Sequence, residues 1–156
     1  MRKQIYMMFL GAMMTLLFPA LFSSCSDDEQ MTADKNAQLS FSQDTVSFDT
    51  VFAGITSPTE RVRVYNKNNK GLRIVNVKLE SGGTSGFMIN VDGQNGTSIN
   101  DVKVLKEDSV FLFVKVNAPT SSSMEPTEIK DVVIFTLESG VQQKVVLKAS
   151  GQNMTA

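Results

Sequence analysis

Cys25 carries the only thiol in a chain of 156 residues that has no histidine and no tryptophan. Without histidine the common zinc sites and every histidine-dependent triad are absent, and one cysteine cannot build an internal disulfide framework. The 16 acidic residues are the other reactive groups. Asp27, Asp28 and Glu29 are adjacent on a polar stretch where nothing could desolvate them, and the others are scattered on turns and outward strand positions, where solvated surface charge is the ordinary role of an acid. Two of them could converge across a cleft as glycosidase chemistry requires, but no spacing marks such a pair. No catalytic residue and no cofactor is therefore assigned, and the chain is expected not to be an enzyme. Asp92-Gly93-Gln94-Asn95-Gly96 alternates oxygen ligands as a calcium loop does. It lacks the later bidentate glutamate, so it reads better as a turn, and no metal is expected. Asn95-Gly96-Thr97 is formally an N-glycosylation sequon, a tripeptide common by chance. With 15 basic residues the net charge is −1, which provides no field for nucleic acid.

Rings are the remaining binding chemistry. Sandwich-type carbohydrate modules stack sugars on exposed aromatics, and beyond Cys25 the chain has one tyrosine, Tyr65. Phe111 and Phe113 alternate with an inward Val and Leu set. Either a crossing segment buries them, or with Tyr65 they form an exposed face for a protein or a glycan.

The chain's opening residues place Cys25. Arg2 and Lys3 precede Met7 to Phe22, sixteen uncharged and largely apolar residues, and the small residues Ser23 and Ser24 follow. This is the order of a secretory signal, and sixteen residues interrupted by Pro19 fall short of the roughly 20 that span a bilayer core. Leu21-Phe22-Ser23-Ser24-Cys25 resembles the lipobox of bacterial lipoproteins. That resemblance implies a signal at 1–24, cleavage before Cys25, lipid on its thiol and a stable hold on membrane lipid, since two or three acyl chains anchor where one is marginal. Ser26-Asp27-Asp28-Glu29 resembles the acidic export signal of Bacteroidota surface lipoproteins, which implies display at the cell surface on the outer membrane. An acidic stretch also serves simply to keep a linker solvated. Residues 25–38 are polar and without period, so a flexible tether is expected there, holding the next domain about 20 Å from the lipid.

From Leu39 the pattern turns to period two, broken by Gly, Asn, Ser and Pro clusters. Inward sets are read at Leu39 and Phe41, Val46 and Phe48, and Val62 and Val64. Further sets follow at Phe87, Ile89 and Val91, at Val102 and Val104, and at Val110, Leu112, Val114 and Val116. Val133, Phe135 and Leu137 lead through a Ser139-Gly140 hairpin to Val145, Leu147 and Ala149. Leu72 and Ile74 are out of phase with Val75, Val77 and Leu79, so a bulge is expected near Ile74 or Val75. The expectation is all-β: an immunoglobulin-like sandwich of about eight antiparallel strands over 39–152.

Three segments sharpen it. Residues 62–74, Val-Arg-Val-Tyr-Asn-Lys-Asn-Asn-Lys-Gly-Leu-Arg-Ile, together with 87–89 and 105–119, resemble the ASH or hydin-like immunoglobulin modules of surface lipoproteins. The resemblance implies a non-catalytic envelope module for adhesion, assembly or attachment of a partner. Members often continue into a larger domain such as a β-helix, so a truncated relative is one alternative, and a carbohydrate-binding module of a glycan-utilisation system is another. Asp44-Thr45-Val46, Asp49-Thr50-Val51 and Asp108-Ser109-Val110 resemble Bacteroidota-type O-glycosylation acceptors, making Thr45, Thr50 and Ser109 candidate sites. Each tripeptide equally fits the start of a strand.

Overall fold

A computed structural model describes residues 29–154, so the signal, Cys25, Ser26, Asp27 and Asp28 lie outside the described residues. Eleven strands form two sheets: β1 (Met31–Thr32), β2 (Leu39–Phe41), β3 (Thr45–Phe52), β4 (Glu60–Asn66), β5 (Gly71–Leu79), β6 (Phe87–Val91), β7 (Gln94–Gly96), β8 (Ser98–Val104), β9 (Ser109–Val116), β10 (Thr127–Leu137) and β11 (Gln142–Gln152). One sheet runs β1-β5-β10-β11-β3 with β8 also on β5, and the other runs β2-β4-β9-β6-β7. Alternation explains the packing. Val62 and Val64, Leu112, Val114 and Val116, Val133 and Phe135, and Val145 and Leu147 all lose their exposure between the sheets. Phe41 meets Phe135 at 5.1 Å and Phe48 meets Phe87 at 5.9 Å, each pair joining one sheet to the other. The architecture is the immunoglobulin-like β-sandwich expected.

Details depart from the expectation with identifiable causes. Two pairings are parallel, β1 with β5 and β11 with β3. The strand count exceeds eight partly because β1 and β7 are too short to show a period. Where β10 pairs β5 the register passes from Asn76 to Ile74, leaving Val75 as the extra residue, at the position where the two parities collided. A second bulge in β3 sets Phe48 and Asp49 against Ala149 alone, which lets Val46 and Val51 both point inward despite their odd spacing. Asp92 and Gly93 both have positive φ, 51° and 77°, between the paired Val91 and Gln94. They form a two-residue hairpin turn, and Gln94, Asn95 and Gly96 belong to β7, so the turn expected over Asp92–Gly96 is narrower than its composition implied.

The expected tether needs correction over its second half. The Gly71 amide donates to the Gln30 carbonyl, Met31 and Thr32 pair with Gly71 and Leu72, and a Glu29 carboxylate oxygen accepts from the Lys106 amide at 2.5 Å. A Cβ on Gly71 would run into the Met31 sulfur, so the glycine leaves room for the docked segment. Ala37 is buried. Residues 29–38 are thus part of the domain, held by main-chain bonds that a composition-based reading cannot register.

Candidate functional site

The outer face of the five-stranded sheet gathers the three expected ring positions. Outward parity on β4 gives Arg61, Arg63 and Tyr65, and on β9 it gives Ser109, Phe111, Phe113 and Lys115. Antiparallel register places Arg61 opposite Phe113, Arg63 opposite Phe111 and Tyr65 opposite Ser109. On the far side of β9, Phe113 faces Asn90 and Lys115 faces Met88. Phe111 and Phe113 are 37% and 38% exposed, which decides against burial under a crossing segment. Their ring centroids lie 5.8 Å apart.

The arginines are held against these rings. The Arg63 guanidinium carbon lies 5.1 Å from the Tyr65 centroid and 5.7 Å from that of Phe111, and Arg61 lies 5.9 Å from Phe111. Arg63 also donates from Nε to the Ser109 hydroxyl at 2.9 Å. Lys67 sits 5.8 Å from Tyr65. Among the described residues no carboxylate is within ion-pair reach of Arg61, Arg63, Lys67 or Lys115. Arg73 on the other sheet is the contrast: Asp101 at 2.7 Å and Glu138 at 3.3 Å engage it, and its hydrogen bond and charge interaction with Asp101 raise its own basicity.

Two hollows flank the rings. One of about 280 Å³ is lined by Ser42, Arg61, Arg63, Tyr65 and Phe111. The other, about 520 Å³, is bordered by Phe113, Lys115, Met88, Asn90 and Asn95. Asn90 donates to the Asn95 side-chain oxygen at 2.8 Å, which leaves the Asn90 oxygen and the Asn95 NH₂ for another partner.

The candidate modification sites scatter. Thr45 and Thr50 lie on β3, at one edge of the larger sheet, with Thr50 exposed and Thr45 partly covered. Ser109 lies on β9 in the interior of the smaller sheet, its hydroxyl engaged by Arg63. Glu29 is the one residue of the acidic cluster within the described residues, and its carboxylate takes up the Lys106 amide.

Two polar groups that carry structure escaped the sequence reading. Asn66 is 1% exposed, and its Nδ2 donates to the carbonyls of Lys70, Val104 and Leu105 at 2.8, 3.0 and 3.1 Å while its oxygen accepts from Asn68. It ties the β4–β5 turn to the β8–β9 turn beneath the Tyr65 end of the face. Asp131, 6% exposed, is an acid on inward parity of β10, where solvated surface charge was expected of every acid. Burial pushes its carboxyl up, but donors from the Ser81 and Ser85 hydroxyls and the Val132 and Ser81 amides outweigh that and hold it below the usual carboxylate range. An acid so stabilised as its anion is a poor proton carrier near neutrality, and its geometry is that of a clamp on the β5–β6 loop. The signal available was its phase with Ile129 and Val133. Among the described residues no three His, Cys, Asp or Glu side chains gather as a metal-holding group. No helix there is long and apolar enough to cross a membrane.

Solved structures share this fold at low sequence identity. A protein of unknown function from Porphyromonas gingivalis W83 matches over 86% of this chain and 51% of its own, with 12% identity and a TM-score of 0.54. A family 123 glycoside hydrolase from Clostridium perfringens matches over 76% of this chain and 27% of its own, with 7% identity and a TM-score of 0.52. An ASH/PapD-like domain of human CEP192 matches over 77% of this chain and 87% of its own, with 11% identity and a TM-score of 0.45. The chain therefore spans about half and about a quarter of the first two, and at these identities the likeness is one of fold alone. No protein-family model matches the sequence, and no curated protein matches it.

Proposed function

We propose that this chain is a non-catalytic, lipid-anchored envelope module that presents the outer face of its five-stranded sheet to a partner. The observation that carries the binding role is the partly exposed Tyr65, Phe111 and Phe113 strip backed by cations that no described carboxylate neutralises. Contiguous exposed rings with stacked arginines mark interaction sites, because each such ring leaves apolar area in water. Against catalysis stands the character of Asp131, a buried acid saturated with donors.

The envelope placement rests on Cys25 and on the order of residues around it. On this reading the lipid holds the domain close. Glu29 is already docked, so four residue steps separate it from Cys25, and four steps reach at most about 14 Å in any conformation.

Two measurements test the parts separately. Radiolabelled palmitate should enter the wild-type chain and not Cys25→Ala; equal incorporation refutes the anchor. Phe111→Ser with Phe113→Ser should abolish capture of an outer-membrane component by the lipidated protein while leaving the melting temperature within a few degrees; undiminished capture refutes the face.

A further inference from the structure

We infer that the ligand of this face is an acidic polysaccharide, its carboxylate or sulfate groups seated on Arg63 and Arg61. The inference deepens the binding role proposed above and rests on it. Arg63 is built as an oxyanion receptor before any ligand arrives. Tyr65 and Phe111 flank its guanidinium, and the Ser109 hydroxyl oxygen accepts from its Nε–H. The two terminal nitrogens are left with their paired donors, the fork that matches a carboxylate or sulfate oxygen pair. The flanking rings and the Ser109 bond hold the guanidinium in place without consuming those donors, so less side-chain freedom is lost on binding. Arg61, two residues along the same strand and about 7 Å away, lies against Phe111 alone and adds a second cation beside the first.

Charge complementarity selects the sign of the ligand. Although the whole chain has a net charge of −1, Arg61, Arg63, Lys67 and Lys115 share this face without a described ion pair. Glu60 and Asp108 neighbour this face in sequence but lie beyond ion-pair reach of its cations, whereas Arg73 on the other sheet is held by two carboxylates. An anion here meets cations with spare donors and little competing negative charge.

The setting selects a polysaccharide over an acidic peptide. Extended peptides gain main-chain bonds by adding to a sheet edge, but β9, which carries the rings, is an interior strand, and β2 covers β4 from Val64 to Asn66 beside Arg63. What the face offers instead runs across the strands. The arginine hollow comes first, then Phe111 and Phe113, then the larger hollow with Lys115 and the Asn90–Asn95 amide pair. From β4 to β7 this strip covers about 14 Å at ordinary strand spacing. Rings that contact the apolar faces of sugars, amides that meet hydroxyls and forked cations that meet acid groups answer the three surfaces of an acidic sugar chain.

The test uses the full chain purified in detergent, titrated with polygalacturonate, dextran sulfate, neutral dextran, poly-L-glutamate and glycerol phosphate. Saturable binding to polygalacturonate or dextran sulfate is expected, with whichever binds naming the acid group, and it should weaken steeply with salt. Arg63→Gln should lower that affinity at least 10-fold. Arg63→Lys, which keeps the charge and loses the fork, should also lower it several-fold, whereas Arg73→Gln should change nothing. The proposal is overturned if Arg63→Gln binds as wild type, if neutral dextran binds as well as the acidic polymers, or if poly-L-glutamate or glycerol phosphate competes at equal strength. Should an outer-membrane partner be captured through Phe111 and Phe113 and not be displaced by either acidic polysaccharide, the ligand class falls and the binding role stands. Failure of palmitate labelling instead removes the anchor and leaves this titration informative.

Discussion

Asn66→Asp replaces an NH₂ group by an oxygen of nearly the same size at the centre of a buried network. In the wild-type chain that nitrogen faces three carbonyl oxygens, those of Lys70, Val104 and Leu105, between 2.8 and 3.1 Å away. In the variant a carboxylate oxygen points at the same three oxygens. Two N–H donors vanish, a charge is buried at a site 1% exposed, and the carbonyls lose their partner. Each unsatisfied buried group costs about 1 to 3 kcal/mol, and a buried unpaired charge about 3 to 5, so the loss should be about 3 to 5 kcal/mol. For a domain of this size that lowers the melting temperature by roughly 10 to 20 °C. The pH dependence separates this cause from loss of shape. The new carboxyl is disfavoured as an anion in the fold, so its folded pKa lies above the unfolded value of about 3.9. The folded variant then takes up a proton more readily than the unfolded chain, and its deficit relative to wild type should be full at pH 7 and shrink as pH falls toward 4. Urea denaturation at pH 7 and at pH 4 measures both. A deficit below about 1 kcal/mol at pH 7, or one that stays unchanged at pH 4, would refute the assignment of Asn66 as the knot between the two turns.

Asp131→Asn should cost about 1 to 3 kcal/mol at pH 7, since an amide cannot accept from all the donors that converge on the anion. The Asp131 carboxyl is depressed in the fold, so its contribution is present above the unfolded value of about 3.9 and is lost as pH falls below it; the gap between wild type and variant should therefore close between pH 4 and pH 2, as read by denaturation. Gly86→Ala should prevent accumulation of folded protein, because φ is 86° there and a Cβ would collide with the Asn117 carbonyl oxygen. Gly93→Ala, with φ of 77° and open space around it, should cost only about 1 kcal/mol by the same assay. Thr32→Pro should expose residues 29–38 to trypsin at Lys35 while leaving the rest of the sandwich protected, because in the parallel β1–β5 ladder the Thr32 amide faces β5 and proline removes it.

Alternation made the sandwich legible. The inward sets around Val62, Leu112, Val133 and Val145 are the core, and even the phase conflict in Leu72–Glu80 pointed to the bulge at Val75. Period carries information only where one face of a strand is buried over several residues. Met31–Thr32 is two residues long and is held by its backbone, so nothing in its side chains distinguished it from a linker. Tyr65, Phe111 and Phe113 were visible as outward parity, but the exposure of that parity depends on whether another layer covers it, which is a tertiary fact. Arg61 and Arg63 are in sequence simply the polar alternates of Val62 and Val64. Their pairing with the rings comes from the β4–β9 register, and residues 60–65 and 109–114 are too far apart in sequence for any local pattern to join them. Asp131 illustrates the opposite failure: its type outweighed its phase, although the phase was right.

The docked segment alters what an anchor at Cys25 would do to the binding face. A free coil of thirteen residues would let the domain tumble and present its sheet in every orientation. With Glu29 fixed to the Lys106 amide and Gln30 to Gly71, the strand of attachment leaves from the end of the sandwich where Asn66 joins the β4–β5 and β8–β9 turns. On the proposed anchor that end is confined to within about 14 Å of the lipid, and the β4–β9 pair extends from it toward Glu60 and Val114 at its other end. The Arg61 and Phe113 end of the strip would then stand further from the bilayer than the Tyr65 end, its outer face turned sideways and not covered by headgroups. A cysteine-reactive fluorophore at Arg61→Cys should accordingly be quenched less by bilayer-embedded spin label than one at Asn69→Cys, and releasing the segment with Thr32→Pro should erase most of that difference. Equal quenching in the docked protein would mean that the domain lies flat or tumbles, and the link between the short attachment and the display of the face would be lost.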